Sequence, residues 1–431
     1  MKYQKITCYI VIALLILSCS KNQPPEEEPE EPKEPEIEIP VDNGNDGPSP
    51  DGDIVGQITV GYQAWFSCNG DNSPMGSHWW HWTDGWQQIP APDNFHIPSW
   101  PDNSDYENTY KTNLPLLGNG NPASLFSSFD DQTIDVHFQW MKNYGIHTAA
   151  LQRFNPDRVE GPIRNAITEK IKDAAEKHDV KFYIMYDVTG WTNMQSEIKT
   201  DWLDKMQKYT ESSAYAKQNE KPVVGIWGFG FNDSNHSWSA AVCLDVIRWF
   251  RDQGCYIMGG VPTYWRTGQS GSDCRSGYLD VFRSFDMISP WMVGRISNDN
   301  DCDRFLENIQ KPDFQFCAAN DIDYQPCVMP GDLQAGLRRH GDFMWRQFYN
   351  FANIGVRSIY ISMFDEYNEA NQIAKTAETQ DDVPTGLGIK SLDEDGTPCS
   401  SDYYLRLTND GGKMIRGEIP VTEERFTIPI P

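Results

Sequence analysis

Eight short β-like segments recur along this chain with helix-like segments between them. That alternation constrains the fold more than any other feature. The β-like segments are rich in branched and aromatic residues. They read ITVGYQAWF (58–66), GIHTAALQRF (145–154), KFYIMYDV (181–188), PVVGIWGFG (222–230), CYIMGGVP (255–262), FDMISPWMV (285–293), YQPCVMP (324–330) and VRSIYISMFDE (356–366). Apolar residues at helical spacing mark 134–145, 167–179, 239–254 and 341–355. Repeated βα units predict an α/β fold with a parallel sheet and outer helices. Eight of them predict a single closed (β/α)8 TIM barrel with long βα loops. An open doubly wound sheet is the alternative, but no Gly-rich phosphate loop follows the first strand. A long aromatic insert, 67–130, follows it instead.

The residues ahead of the barrel read differently. Lys2 and Lys5 precede an apolar run, 10–17 (IVIALLIL), and Ser18-Cys19 follows at once. This pattern resembles a lipobox. It predicts a signal peptide over 1–18 and a diacylated Cys19 as the first mature residue. An ordinary secreted protein cut elsewhere is the alternative. Residues 19–54 are dominated by Pro, Glu, Asp and Gly, which predicts an extended acidic tether. The barrel domain then spans 55–431. Lipid on Cys19 is the only membrane anchor expected.

The formal net charge of −26 argues against nucleic acid and anionic lipid as partners. Eight cysteines remain beyond Cys8 and Cys19, an even number that permits full pairing without dictating it. None has CxxC spacing, so no zinc cluster is expected. His78 and His81 have HxxH spacing, but no carboxylate partner follows them. Neither a metal nor another cofactor is expected, and a monomer is.

In a barrel the chemistry collects where strands end. The first strand delivers Gln63 and Trp65, and its loop adds His78, Trp79, Trp80, His81 and Trp82. Later strands end in Gln152, Arg153 and Phe154; in Tyr186, Asp187 and Trp191; in Trp227 and Phe229. Tyr264, Trp265 and Arg266, then Trp291 and Arg295, close the fifth and sixth. The chain holds 15 Trp, and many follow strands directly. For one Trp, packing under a loop is the ordinary reading. Rings interleaved with Asn, Gln, Asp and Arg are also what a sugar site needs, for stacking and for hydroxyl recognition. His78, Trp79, His81, Trp82, Arg153, Asp187, Trp227, Tyr264, Trp265, Arg266 and Trp291 are the candidate substrate contacts. Arg153 and Arg266 have a second reading as ion-pair partners.

Glu366-Tyr367-Asn368-Glu369 is the sharpest constellation. Two carboxyl groups three residues apart, leaving a strand into a turn, can point into one cleft. Glycoside hydrolysis needs such a pair, one to protonate the leaving oxygen and one to activate the nucleophile. Glu366 and Glu369 are therefore the candidate catalytic residues.

These motifs carry a family resemblance. GYQAWF (61–66), HWWHW (78–82), GVPTYWRTG (260–268), ISPWMVGR (288–295), FDEYNEA (364–370) and SDYYLRL (401–407) resemble the glycoside hydrolase family 71/99-like barrels common among Bacteroidetes lipoproteins. The resemblance implies a glycoside hydrolase, with an endo-α-mannosidase as one possibility. It places a base on Glu366, acting on the substrate 2-hydroxyl, and an acid/base on Glu369. Tyr367-Asn368 departs from the Trp-His that family 99 has between its carboxylates, which bears on substrate. The acidic run after Cys19 resembles the surface-export signals of Bacteroidetes lipoproteins. It implies lipid anchoring on the outer face of the outer membrane, for polysaccharide degradation. A non-catalytic glycan-binding lipoprotein of a polysaccharide-uptake system is the alternative.

Overall fold

The computed structural model describes residues 47–269 and 271–430. Eight parallel strands form its centre. They are β1 (Ile58–Tyr62), β2 (Thr148–Arg153), β3 (Lys181–Asp187), β4 (Lys221–Trp227), β5 (Tyr256–Val261), β6 (Met287–Pro290), β7 (in two pieces, Asp323–Tyr324 and Cys327–Val328) and β8 (Ile359–Ile361). Neighbours in sequence are neighbours in the sheet from β1 to β6.

Strand β7 closes the ring. Its first piece pairs with β6 and its second with β8, which returns to β1. Pro326 lies between the pieces and has no N–H to give a ladder. The bonds around it still bridge both sides. Gln325 N–H donates to the Ile288 carbonyl at 2.9 Å, and Tyr360 N–H donates to the Pro326 carbonyl at 3.0 Å. The break explains why this segment is the least strand-like of the eight in sequence. The barrel fold read from the βα alternation is the one observed.

Helices follow the strands in order: α1 (Asp131–Asn143), α2 (Gly161–His178), α3 (Met194–Asp201), α4 (Ala240–Asp252), α5 (Leu279–Arg283), α6 (Asp299–Phe305) with α7 (Lys311–Ala319), α8 (Asp342–Asn353) and α9 (Tyr403–Ile415). Ser239 caps α4, its side chain accepting from Val242 N–H. No helix among the described residues is long and apolar enough to cross a membrane. The strands are buried on both faces, as a barrel wrapped in helices requires.

Two sequence expectations change. Strand β1 stops at Tyr62 rather than at 66, because Ala64 turns with φ 47°. The tether ends earlier than 54. Ser49 N–H donates to Asp323 Oδ1 at 3.2 Å, and Ile54 is fully buried. Residues 49–54 therefore belong to the barrel's base. The signal peptide, Cys19 and the tether up to 46 lie outside the described residues. Cys68, Cys243, Cys255, Cys274, Cys302, Cys317, Cys327 and Cys399 are all free and buried.

The aromatic insert carries a small hairpin, Tyr110–Lys111 with Ser124–Leu125, and no helix. It packs against the chain that follows β8. Ser99 Oγ donates to the Tyr367 carbonyl at 2.9 Å. The rings of Phe66 and Phe126 meet that of Tyr367 edge-on.

Candidate active site

The turn after β8 is built from its backbone outward. Tyr367–Glu369 form one 3₁₀ turn, and Ala370 reverses the chain with φ 53°. Glu369 N–H donates to the Glu366 carbonyl at 3.2 Å. Glu366 precedes that turn with φ −86° and ψ 63°, and its carboxyl lies within electrostatic reach of Glu369. Tyr367 between them points into the core and is fully buried.

Strand β1 fixes the deeper carboxyl. Gln63 Nε2 donates to Glu366 Oε1 at 2.9 Å. Gln63 is itself pinned at both ends of its peptide unit. Its N–H donates to Asp365 Oδ1 at 2.8 Å, and its carbonyl accepts from Arg164 Nη1. Asp365 takes a second bond, from Ala64 N–H at 2.8 Å. Arg164 is held in turn by Glu160 at 2.9 Å.

Burial and crowding raise these acids. Desolvation pushes Glu366 up to about 8, with help from Glu369, Asp365 and Asp187, against the opposing Gln63 bond. Glu369 reaches solvent yet is also raised, by desolvation within the cleft and then by Asp332. Asp365 is pushed up to about 6 by burial, against its two backbone bonds. Burial and mutual repulsion thus hold protons on this pair more tightly than on free carboxyls.

Glu369 lines a cavity of about 540 Å³ together with Asp332, Arg295, Ile296, Leu337 and Asn371. That volume suits one or two sugar rings. Half-buried aromatic rings stand at neighbouring strand ends. Trp227 closes β4 and meets Trp291 edge-on, 5.6 Å between ring centres. Trp227 lies across Gly260, where a Cβ would overlap its ring. Tyr264 is half-buried on the β5 loop, and Asp187 is half-buried at the end of β3.

Several residues read from sequence as substrate contacts have other employment. Arg153 is 2% exposed and forms a two-pronged pair with Asp201 at 2.6 Å through both Nε and Nη2. Arg266 pairs with Asp313 at 2.7 Å, and Trp265 Nε1 donates to the same carboxylate at 3.0 Å. His78, Trp79 and Trp82 are buried in the loop after β1, where Trp82 stacks on Phe66. Arg153, Trp265 and Trp82 thus have partners within the protein, while both ring nitrogens of buried His78 have none among the described residues. His81 stacks on Trp65 with ring centres 3.9 Å apart, and its Nε2 lies 3.7 Å from Glu160.

Arg164 and Asp332 were not singled out in the sequence, and Asp365 was read only as one of the residues ending the eighth strand. Asp365 was legible as the residue preceding the carboxyl pair. Arg164 and Asp332 gave no signal, because their roles depend on partners far along the chain.

No family model and no curated protein matches this chain. The fold does have solved relatives. The chain is similar to the GH99 endo-alpha-mannosidase from Bacteroides thetaiotaomicron, with TM-score 0.60 at 14% identity over 84% of this chain and 98% of that one. A structure of that enzyme with BIS-TRIS-propane gives TM-score 0.60 at 15% identity, over 85% and 98%. At such identity the likeness establishes the TIM-barrel fold alone.

Proposed function

We propose that this chain is a glycoside hydrolase that cleaves an α-linked glycan, with a mannan-like polymer as first choice. One observation carries the reading. Two acids with raised pKa values leave a single turn at the catalytic end of a barrel, one buried against Gln63 and one open to the cleft.

The roles follow from their depths. In the free enzyme burial favours the proton on Glu366. A sugar hydroxyl donated to Glu366 stabilises its carboxylate, and the sugar's bulk dries Glu369. The proton then belongs on Glu369. Glu366 takes the proton of the substrate 2-hydroxyl, and that oxygen attacks C1. The glycosidic C1–O bond breaks, and Glu369 gives its proton to the leaving oxygen. Water then loses a proton to Glu369 and attacks C1 of the 1,2-anhydro sugar. The ring opens as O2 recovers its proton from Glu366. Two displacements at C1 return the original configuration. Asp187, Trp227, Tyr264 and Trp291 form the sugar-binding wall in this scheme.

The cell would hold this enzyme outward on the outer membrane through lipid on Cys19, because a polymer must be cut where it is met. Incubation with yeast mannan, α-glucans and xylan tests the activity. New reducing ends from an α-linked polymer support it. Binding without new ends would support a glycan-capturing protein instead.

A further inference from the structure

A second polar constellation stands at the ends of β3 and β4. The Asp187 carboxylate lies within electrostatic reach of Glu366. Thr189 N–H donates to Asp187 Oδ1 at 2.9 Å, and the Thr189 hydroxyl also bears on that carboxylate. The same hydroxyl oxygen is 3.1 Å from His236 Nε2. His236 Nδ1 is 2.8 and 2.9 Å from the two oxygens of Asp233. A carboxylate only accepts, so Nδ1 carries a proton.

His236 is 5% exposed, enclosed by the rings of Trp227, Phe231 and Trp238. Gly228 leaves room for it, since a Cβ there would come within 2.9 Å of His236 Cδ2. The charged groups around His236 are Asp233, Asp187 beyond Thr189, and Arg275, whose Nη2 donates to the Asp233 carbonyl at 2.6 Å. One imidazole thus touches both the Trp227 ring and the residue that holds Asp187.

A single hydroxyl proton cannot serve two acceptors. With Nε2 bare, the Thr189 hydroxyl donates to His236, and Asp187 keeps the Thr189 N–H alone. With Nε2 protonated, the imidazolium donates to Thr189, and the hydroxyl proton turns to Asp187. We propose that Thr189 and His236, backed by Asp233, are positioning residues that set the orientation and charge of Asp187 at the sugar-binding wall. The link from Asp187 to substrate rests on the glycosidase reading, whereas the coupling between Asp187 and His236 does not.

Histidine-selective ¹³C NMR on the barrel protein tests the coupling without any substrate. Asp187→Asn should move the His236 ring ¹³C signals at fixed pH, because the Thr189 hydroxyl is then no longer shared with a carboxylate. In the Thr189→Val background the same change should have little effect. Identical His236 ring signals in wild type and Asp187→Asn would overturn the relay. Kinetics on yeast mannan supply the second arm. Thr189→Val should raise KM about tenfold with a smaller change in kcat, and Thr189→Ser should restore it. Wild-type KM in Thr189→Val would also overturn the proposal. An observed NMR coupling in a protein that releases no reducing ends from yeast mannan, α-glucans or xylan would uphold the relay and sink the glycosidase reading.

Discussion

Gln63 Nε2 donates to Glu366 Oε1 at 2.9 Å across the seam between β1 and β8. The barrel's first and last strands thereby share the deeper carboxyl of the pair. Any slip of that seam moves Glu366, which is why Asp365 and Arg164 both clamp the Gln63 backbone.

Activity should be lost on the alkaline side. The pair works with one proton, and deprotonation of the second group ends acid catalysis. Glu366 is pushed up to about 8, so kcat/KM should fall as pH rises through about 8. A rate that is flat from pH 7 to 10 would contradict this.

Stability carries the opposite signature in a neutral variant. The folded pKa of Glu366 lies above its ordinary 4.5. Between these values the unfolded chain releases a proton that the folded chain keeps, so this group's contribution falls as pH rises. Above about pH 8 the folded state holds a buried charge. Glu366→Gln should therefore be more stable than wild type at pH 8.5, by roughly 1–3 kcal/mol, and less distinguishable at pH 4. Urea melts at both pH values measure it.

Arg153 should behave as a structural residue. Arg153→Met leaves Asp201 buried with only Tyr186 and Lys205 as partners. Breaking a buried pair from one side costs about 3–5 kcal/mol, and partial repair by these neighbours puts this case near 3 kcal/mol. Thermal melting should show the loss, while KM of the folded enzyme stays unchanged. A raised KM at wild-type stability would make Arg153 a substrate contact.

Gly260 should be needed for the Trp227 platform. Gly260→Ala places a Cβ against the Trp227 ring and turns it away. An aromatic contact is worth about 0.5–1.5 kcal/mol, so KM should rise up to about tenfold. An unaltered KM would remove Trp227 from the sugar wall.

The fold was legible because each strand is a short apolar run buried on both faces, and such runs stand out against helical periodicity. Strand β7 was faint because Pro326 interrupts it. Glu366 and Glu369 could be singled out as candidates because two local facts coincide, an apolar strand and paired acids at its end. Partnerships were not legible. Asp201 lies 48 residues from Arg153, and Gln63 lies 303 from Glu366. A sequence shows an arginine at a strand end, but not the carboxylate that has already claimed it. The tether's end was misplaced for the same reason, since Ser49 gains its partner from Asp323, 274 residues away.

The central claim is that Glu366 and Glu369 perform the cleavage. It is tested most directly by kcat/KM for Glu366→Gln and Glu369→Gln on whichever α-linked polymer the wild type cuts. Each variant should lose at least about 10²-fold while melting as one folded domain. Turnover within about twofold of wild type in both variants would contradict the account.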